Sequence, residues 1–594
     1  MRFASSTFLI GAGWSLLGLP GSTLSLPHKD SAPLVTVKNG TYKGVYNAHY
    51  EQDYFLGVPY AQPPQRFSVA QGLNTSWDGI RLANKYSVHC YGYGYDQNGF
   101  KQSEDCLYLN IIRPAGEANS KLPVAAWIHG GGLVMGGAPD PRYNLSFIVE
   151  QSVALGTPVI GVSFNYRLSA FGFITGKEVL KDGATNLGFR DQRLALRWIS
   201  ENIAAFGGDP DKVTIFGESS GAESVAAQVF AYNGRDDGLF RGAIAESGFG
   251  APLGRFPGGF NATELMQISF NSLVKSVPSC AKLSGSDTFL ECLRKAPFQE
   301  IHLALNSSIL GQSWAPVLDE DFLVNHTTNQ LANGRFLKVP ILIGANTDEG
   351  TSFGVGIRPK GEPVNTDDQL REALMPMIAP GAEKNTGKTA DQLIDELMEL
   401  YPNDQRVGIP SLEAWPHVIK PGDEYAKQFG LQYRRANAIS GDYAMQYQRR
   451  RANKAWATHG TPSYAYRFNI RPNNVPPRAG VGHFQEVAFV FYNLNGDGYA
   501  TNPFGGNGTY PAESKAMAKT ISTAWINFVT GLDPNGGSGS ELFDGEEWPV
   551  FELSDRPDGK GVVFNLNGTH VEVDDRRSRG MNWMADHALP VFGN

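Results

Sequence analysis

Motifs for metals and cofactors are missing from this sequence. Neither HExxH nor CxxC occurs in the 594 residues, so the usual ligand spacings of a catalytic or structural metal are absent. The segment GAEKNTGKT nearly spells a phosphate-binding loop, but five residues separate Gly381 from Gly387 where four are required. We therefore expect no metal, no nucleotide and no other cofactor.

The sequence also has fewer basic than acidic residues. The sequence has 51 Lys and Arg residues against 59 Asp and Glu residues, which gives a net charge of −8. Phosphate binding needs a basic face, so this balance argues against a nucleic-acid partner. The basic cluster that could suggest such a partner is QRRRANK, with Arg449–Arg451, which we interpret as a solvated helix face.

Long apolar runs are confined to the N-terminus. Residues 1–25 combine an early Arg2, an apolar stretch from Phe8 to about Leu19 and small residues near Ser22–Ser25. This is the pattern of a secretory signal peptide. No later segment has the length of uninterrupted apolar residues that a membrane span requires. We expect residues 26–594 to be secreted, without a transmembrane segment. The sequence leaves the oligomeric state open.

Cysteines and glycosylation sequons fit an extracellular protein. An even count of four cysteines in an exported chain predicts two disulfides. Of the three possible pairings, we expect the local one, Cys90 with Cys106 and Cys280 with Cys292. Eight NxS/T sequons predict surface glycosylation at several of their asparagines, which are Asn39, Asn74, Asn144, Asn261, Asn306, Asn325, Asn507 and Asn567.

Apolar runs and helical patterns alternate along the chain. Buried strands are predicted at Val124–Ile128, at Val159–Phe164, from Val213 up to Gly217, at Arg241–Gly248 and within KVPILIGANTDEG. A helix before the third strand places Leu196, Ile199 and Ile203 on one face. This alternation predicts an α/β fold with a large, mainly parallel sheet covered by helices on both faces. We interpret the helical patterns from Arg358 to Gln448 as insertions that cap the sheet.

The segment VTIFGESSGAESVA predicts a strand, a tight turn and a helix. Its GxSxG pattern, Gly217 to Gly221, suits a turn so sharp that the glycine positions can carry almost no side chain. Ser219 would project outward from this turn, beside the N–H groups and positive dipole end of a helix. The pattern makes Ser219 a candidate nucleophile.

A second glycine-rich turn supports this interpretation. HGGG, His129 to Gly132, follows a predicted strand, and consecutive glycines allow backbone N–H groups to point into a cavity. Ester hydrolysis passes through a tetrahedral oxyanion that two or three such donors stabilise, each by about 2.7–4 kcal/mol. The candidate donors are the N–H groups of Gly131, Gly132 and Ser220.

Several motifs in this order resemble one family. HGGG, SEDCLYLNI, the stretch NLGFRDQRLALRWISENIAAFGGDPDKVTIFGESSGAESV and DEG are similar to those of the type-B carboxylesterase/lipase family, which includes cholinesterases and secreted fungal lipases. The resemblance runs from about Val35 to beyond Phe551. It implies the α/β-hydrolase fold, one catalytic domain over 26–594, and serine-dependent hydrolysis of carboxylic esters.

The resemblance also places the remaining site residues. It implies that Glu349 of DEG is the acid of a Ser-His-Glu triad and that His483 of GVGHFQEVAFVF is its base, with His459 as the main competitor. Glu218 matches a second acidic residue common in the family, and Ser247 is a weaker match to a supporting residue. Phe484, after the histidine, departs from the small residue usual in the family.

The substrate is less well defined by the sequence. In the family, the loop closed by the first disulfide lies over the active-site gorge as a lid, and here the loop from Cys90 to Cys106 is short. A short lid has little apolar surface for a lipid interface, so we expect esters of short to medium chain length. The loop contains no tryptophan for a cation–π contact, which argues against choline esters. The alternatives are an interfacial lipase or sterol esterase for long-chain esters and, with less support, a non-catalytic adhesion protein.

Overall fold

The computed structural model describes residues 32–249, 263–283, 288–307, 311, 314–354, 362–536, 545–554 and 557–593. The predicted signal peptide, residues 1–25, and the sequon residue Asn261 lie outside these ranges. Ala32–Asn594 packs as one compact unit. Within the described ranges, every helix is too short or too polar to cross a lipid bilayer.

Sixteen strands form within the described ranges. They are β1 (Leu34–Val37), β2 (Gly40–Lys43), β3 (Val45–Asn47), β4 (Gln52–Pro59), β5 (Ile80–Leu82), β6 (His89–Cys90), β7 (Gln102–Ser103), β8 (Tyr108–Pro114), β9 (Leu122–Ile128), β10 (Ile160–Phe164), β11 (Gly208–Glu218), β12 (Gly242–Glu246), β13 (Ile341–Asn346), β14 (Ser463–Phe468), β15 (Lys560–Phe564) and β16 (His570–Val573). All five strands predicted from the sequence are present, as β9 to β13.

One sheet dominates the fold. Its eleven described strands run in the order β16-β15-β14-β13-β12-β11-β9-β10-β8-β4-β3. Neighbours from β10 through β15 are parallel, whereas β8, β4 and β3 at one edge and β16 at the other are antiparallel. This arrangement confirms the mainly parallel sheet and places β11 near its centre.

Nineteen α-helices accompany these strands in the described ranges. They are α1 (Leu145–Ala154), α2 (Ser169–Phe173), α3 (Lys177–Asp182), α4 (Leu187–Asn202), α5 (Ser220–Gly234), α6 (Thr263–Ser276), α7 (Phe289–Lys295), α8 (Phe298–Leu305), α9 (Thr327–Ala332), α10 (Gly350–Phe353), α11 (Asp367–Leu374), α12 (Ala382–Thr386), α13 (Ala390–Leu400), α14 (Glu424–Gln428), α15 (Tyr433–Gly441), α16 (Tyr447–Thr458), α17 (Val487–Val490), α18 (Tyr510–Gly531) and α19 (Ser578–Asp586).

Side chains of the central strands point alternately to the two faces of the sheet, and this divides the core into two layers. On β9, Val124, Ala126 and Ile128 join one buried cluster, whereas Ala125 and Trp127 join the other. Helices α4 and α5 complete the first cluster, and helices α1 and α18 complete the second. Because successive strand residues face opposite sides of a sheet, both faces are buried, as a parallel sheet requires.

The helical insertion expected after Arg358 is present and has its own core. Thr366 and Thr389 begin α11 and α13 with capping boxes, in which each threonine accepts a hydrogen bond from the backbone three residues later. Leu370 of α11 and Leu393 of α13 pack in a third buried cluster with Met584 of α19. The insertion is therefore anchored by the C-terminal helix.

The interpretation of the arginine cluster as a solvated helix face is wrong. Arg449 and Arg450 on α16 are 5% and 1% exposed, and both pair with Asp574, at 2.8 and 3.0 Å. Arg451 is partly buried and donates to Thr328 Oγ1 at 2.6 Å. The cluster is an internal ion-pair network that ties α16 to the segment after β16.

The local disulfide pairing is confirmed, with bonds between Cys90 and Cys106 and between Cys280 and Cys292. The first bond closes the segment Cys90–Cys106, which we call the disulfide loop. This loop carries β7 and a 3₁₀ turn at Tyr95–Gln97. It therefore has local structure of its own.

The sequon asparagines differ in exposure. Asn39 and Asn144 are partly buried, and the side chain of Asn144 accepts a hydrogen bond from Ser146 N–H at the start of α1. The exposed ones are Asn74, Asn306, Asn325, Asn507 and Asn567. The exposed sites offer the best access for glycan attachment.

We expect Asp574→Ala to destabilise the fold strongly, because it leaves two buried guanidinium groups without their carboxylate. Loss of one partner of a buried ion pair typically costs about 3–5 kcal/mol. Urea unfolding should show this as a lower midpoint. Arg406→Ala removes an exposed pair with Asp404 and should leave the midpoint unchanged. Equal midpoints for Asp574→Ala and the unsubstituted protein would show that the network is not a stabilising element.

Candidate active site

Ser219 lies in the turn between β11 and α5. Its φ of 59° and ψ of −125° form a strained turn, and its N–H donates to the carbonyl of Glu246 at 2.9 Å. A Cβ at Gly217 or Gly221 would lie 2.6 or 2.1 Å from the Ile128 carbonyl, so larger residues cannot be accommodated at either position without movement. Ser219 is partly exposed, and Glu218 and Ser220 on either side are buried. Of these three residues, only the central serine is therefore accessible to solvent.

The glycine-rich turn after β9 lies against the Ser219 turn, which we call the elbow. Gly131 and Gly132 have left-handed φ values of 98° and 63°, and both are partly exposed. The Leu133 N–H donates to Ser220 Oγ at 3.0 Å, which ties the two turns together. Among the described residues, none accepts a hydrogen bond from the N–H groups of Gly131 or Gly132. Ser220 begins α5, where backbone N–H groups have no partner within the helix.

His483 and Glu349 are in direct contact. His483 Nδ1 lies 2.8 Å from Glu349 Oε2, and Glu349 is 1% exposed. The other carboxylate oxygen of Glu349 accepts the Asn346 N–H at 2.8 Å, at the end of β13. The His483 N–H donates to Ser352 Oγ at 3.2 Å. Because Nδ1 faces a carboxylate, it carries the proton, and Nε2 is the free basic nitrogen of the neutral ring.

The basic nitrogen of His483 lies beside the elbow. His483 Nε2 is 3.2 Å from Glu218 Oε1, the carboxylate of the residue immediately before Ser219. The competing base candidate, His459, instead contacts the Leu331 carbonyl at 3.2 Å and packs edgewise on Phe336. The structure thus brings His483, and not His459, together with Glu349 and the elbow.

Further buried carboxyl groups surround His483. Glu486 accepts hydrogen bonds from Ser247 Oγ at 3.0 Å and from Asn346 Nδ2 at 2.5 Å. Glu246 is fully buried and accepts a hydrogen bond from Trp525 Nε1 at 2.7 Å. We call Glu218, Glu246, Glu349 and Glu486 the carboxyl cluster. Four acidic side chains and one imidazole therefore occupy one buried region.

The carboxyl cluster shifts the pKa values of its members. Burial, with repulsion from Glu349, raises the pKa of Glu486 to about 7. Burial is also the main cause that raises the pKa values of Glu218 and Glu246 well above their usual range. For His483, burial lowers the pKa, but attraction to Glu218 and Glu349 outweighs it and raises the pKa to about 10. The site therefore favours the imidazolium form of His483.

Two members of the carboxyl cluster, Glu246 and Glu486, were not predicted from the sequence, and neither was Asn346. Glu486 was not singled out, although it lies three residues after His483 in the motif that identified the histidine. Glu246 directly precedes Ser247 and sits opposite Glu218 in the register between β12 and β11. A polar residue at the end of a buried parallel strand is the signal that could have identified Glu246, because such strand ends carry functional side chains.

Comparisons with known proteins identify the family and the fold. A family model described as the carboxylesterase family matches residues 31–575. Lipase 1 of Geotrichum candidum is 30% identical, covering 99% of this chain and 100% of its own. Cholinesterase of Mus musculus is 31% identical, over 94% of this chain and 87% of its own. A crystal structure of Aspergillus niger EstA has a TM-score of 0.75 at 26% identity, covering 95% of this chain and 99% of that one.

We expect Glu218→Gln to lower the pKa of His483 by about one unit or more, because a carboxylate within 4 Å is replaced by a neutral amide. The imidazole can be titrated by NMR after labelling of histidine. His129 serves as an internal control, since burial lowers its pKa to about 4 and it should not move. An unchanged His483 titration in the variant would contradict the electrostatic role assigned to Glu218.

Proposed function

The chain belongs to the carboxylesterase family and is a carboxylic ester hydrolase, and from this premise we propose that Ser219, His483 and Glu349 are its catalytic triad. The observation that carries the proposal is the 2.8 Å contact between His483 Nδ1 and Glu349, with Nε2 of the same ring beside the Ser219 turn. The three residues come from the ends of β11 and β13 and from the loop before α17, which is the chain order Ser, acid, His of this fold.

In the first half of the proposed reaction, Ser219 Oγ attacks the ester carbonyl carbon. His483 Nε2 takes the hydroxyl proton as the new C–O bond forms, which generates a tetrahedral oxyanion and an imidazolium. Collapse of the oxyanion breaks the bond to the alcohol oxygen, and the imidazolium donates its proton to that oxygen. The alcohol leaves and an acyl-serine remains.

The second half repeats these steps with water. His483 takes a proton from a water molecule as its oxygen attacks the acyl carbon, and a second oxyanion forms. When this oxyanion collapses, the proton on His483 returns to Ser219 Oγ and the carboxylic acid is released. The net reaction consumes one ester and one water and gives one acid and one alcohol.

The proposed oxyanion donors are the N–H groups of Gly131, Gly132 and Ser220. The described residues offer no internal acceptor to the first two, and the third lies at the start of α5. Donors that are already oriented lose little free energy in reorganisation when the negative charge develops. Glycine at 131 is needed for this geometry, because a Cβ there would lie 2.2 Å from the Met135 carbonyl.

The carboxyl cluster is proposed to stabilise the imidazolium. Glu349 holds the ring in the tautomer that leaves Nε2 basic. Glu218 adds negative charge on the Nε2 side, and Ser247 supports Glu486 through its hydroxyl. The ring gains positive charge as it takes the proton of Ser219 or of water, so a cluster that favours the charged ring stabilises the species formed in both steps.

The disulfide loop supports esters of short to medium chain length as substrates. Tyr93 is buried, Tyr91 packs on Phe298 with ring centroids 4.3 Å apart, and Phe100 stacks on His89 at 4.0 Å. Tyr95 alone among the aromatic residues of this loop is largely exposed, at 70%. Because three of the four aromatic side chains in this loop pack against other residues, the loop offers little apolar surface to a lipid interface.

The second candidate function is an interfacial lipase or sterol esterase for long-chain esters. The observation in its favour is that the relatives in Geotrichum candidum and other fungi are named lipases. The activity profile across acyl lengths separates the two candidates. The adhesion alternative has no observation in its favour, since the chain retains all the proposed catalytic residues.

We also propose that the protein is secreted. Relatives in Botryotinia fuckeliana and Gibberella zeae are named secreted lipase 1 and secreted triacylglycerol lipase. The two disulfides support an oxidising compartment.

We expect Ser219→Ala to lower kcat by about 10⁴-fold or more, because the reaction then lacks its nucleophile. The measurement is hydrolysis of p-nitrophenyl esters from acetate to palmitate. Unsubstituted protein should cleave the short and medium chains best, and a palmitate optimum would favour the lipase. Ser554→Ala removes an exposed hydroxyl outside the proposed site and should retain the activity. Comparable rates for Ser219→Ala and the unsubstituted protein would refute the triad.

Glycan occupancy follows exposure in the proposed secreted protein. We expect N-glycans at several of the five exposed sequons and none at Asn144, whose side chain caps α1. Peptide mass spectrometry of secreted material, with and without endoglycosidase, measures the occupancy of each site. A glycan at Asn144 with none at the exposed asparagines would contradict this assignment.

A further inference from the structure

Arg142 joins two loops that are far apart in the sequence. Its Nη2 contacts Asp96 Oδ1 of the disulfide loop at 2.6 Å and Asp140 Oδ2 of its own turn at 2.6 Å. Its guanidinium carbon also lies 4.7 Å from the ring centroid of Phe484, the residue after His483. The arginine therefore contacts both the disulfide loop and the loop that carries the proposed base.

The surroundings fix the arginine in this position. Its side chain is 18% exposed, and those of Asp96 and Asp140 are 14% and 5% exposed. The Arg142 N–H donates to Asp140 Oδ1 at 2.9 Å, and its carbonyl accepts from Asn493 Nδ2 at 3.3 Å. A guanidinium held by two carboxylates and by its own backbone has little freedom to move away from Phe484.

The backbone conformation of Phe484 is unfavourable, and the contact with Arg142 stabilises it. Its φ of 71° is in the left-handed region, which is strained for a residue with a bulky side chain. A cation over an aromatic ring is attracted to the ring face, and the Phe484 ring also packs against the buried cluster around Trp127. The contact with Arg142 therefore offsets the strain in the peptide that follows His483.

The conformation of this peptide determines where the imidazole lies. Relaxation of Phe484 toward ordinary φ values would rotate the bond to His483 and shift the ring relative to Glu349. Catalytic geometry is sensitive to displacements of about 1 Å, which can cost about 10²-fold in rate. A side chain that holds Phe484 thus acts on the reaction without touching the substrate.

We infer that Arg142 is a positioning residue of this hydrolase: it links the disulfide loop, through Asp96, to the backbone beside His483, through Phe484. The inference rests on the proposed role of His483 as the base. When the disulfide loop is in place, Asp96 holds the guanidinium over Phe484 and the base is aligned. When the loop is displaced, for example by a long acyl chain, Arg142 loses one of its two carboxylates and the alignment weakens.

The test uses Arg142→Met, Asp96→Asn and the double variant, with kcat and KM measured on p-nitrophenyl butyrate. We expect Arg142→Met to lower kcat about tenfold with KM within about twofold, because binding is retained and alignment is lost. Asp96→Asn should lower kcat in the same way but less. The kcat of the double variant should equal that of Arg142→Met, because the two substitutions break the same linkage and their effects are therefore not additive. Arg142→Lys should recover part of the rate.

Arg190 provides a matched control. It pairs with Asp319 at 3.0 Å and Asp321 at 2.8 Å, and its guanidinium lies 5.7 Å from the Phe322 ring. This is the same combination of groups at a place without contact to the His483 loop. Arg190→Met and Asp321→Asn should leave kcat unchanged, and thermal unfolding midpoints of all variants identify any loss that is only structural.

The outcomes separate this inference from the proposed triad. Activity retained in His483→Ala would refute the base itself. An inactive His483→Ala variant together with unchanged kcat in folded Asp96→Asn and Arg142→Met would refute the linkage alone. Equal losses in Arg142→Met and Arg190→Met would also overturn it. If Arg142→Met does not fold, the kcat of Asp96→Asn tests the linkage, because Arg142 retains its ion pair with Asp140 in that variant.

Discussion

The close approach of two backbone turns at the centre of the sheet is the constraint on which the site depends. The Ile128 carbonyl oxygen, at the end of β9, would lie only 2.6 Å from a Cβ atom at Gly217 and 2.1 Å from one at Gly221. Only glycine allows this approach, which brings the HGGG turn and the Ser219 turn together. The nucleophile and the candidate oxyanion donors are thus positioned by the same parallel strand pair that forms the middle of the core.

The buried negative charge around His483 follows from this architecture. Parallel strands end at one edge of the sheet, so Glu218, Glu246 and Glu349 from β11, β12 and the end of β13 meet there. Burial and mutual repulsion oppose their ionisation, and this raises the pKa values of Glu218 and Glu246. An imidazolium nearby relieves the repulsion, so the cluster favours the charge state that ester hydrolysis generates at His483.

Patterns local in the sequence predicted much of this arrangement, whereas contacts between distant segments were missed. The strands β9 to β13 and the Ser219 turn follow from short-range periodicity and glycine spacing. Family resemblance supplied Glu349 and His483, which the structure brings into contact. The bond between Ser247 and Glu486 spans 239 residues, and that between Arg449 and Asp574 spans 125. Without the fold, the charge of Arg449–Arg451 indicated a solvated surface, because a partner so far along the chain has no local signature.

The most direct test of the account is a crystal structure of the protein after reaction with a p-nitrophenyl alkylphosphonate, a covalent mimic of the tetrahedral intermediate. The account predicts a bond from phosphorus to Ser219 Oγ, and a phosphonyl oxygen within about 3.1 Å of the N–H groups of Gly131, Gly132 and Ser220. His483 Nε2 should face the Ser219 oxygen while Nδ1 keeps its contact with Glu349. Phosphorus on another residue, or a phosphonyl oxygen directed away from the HGGG turn, would contradict it.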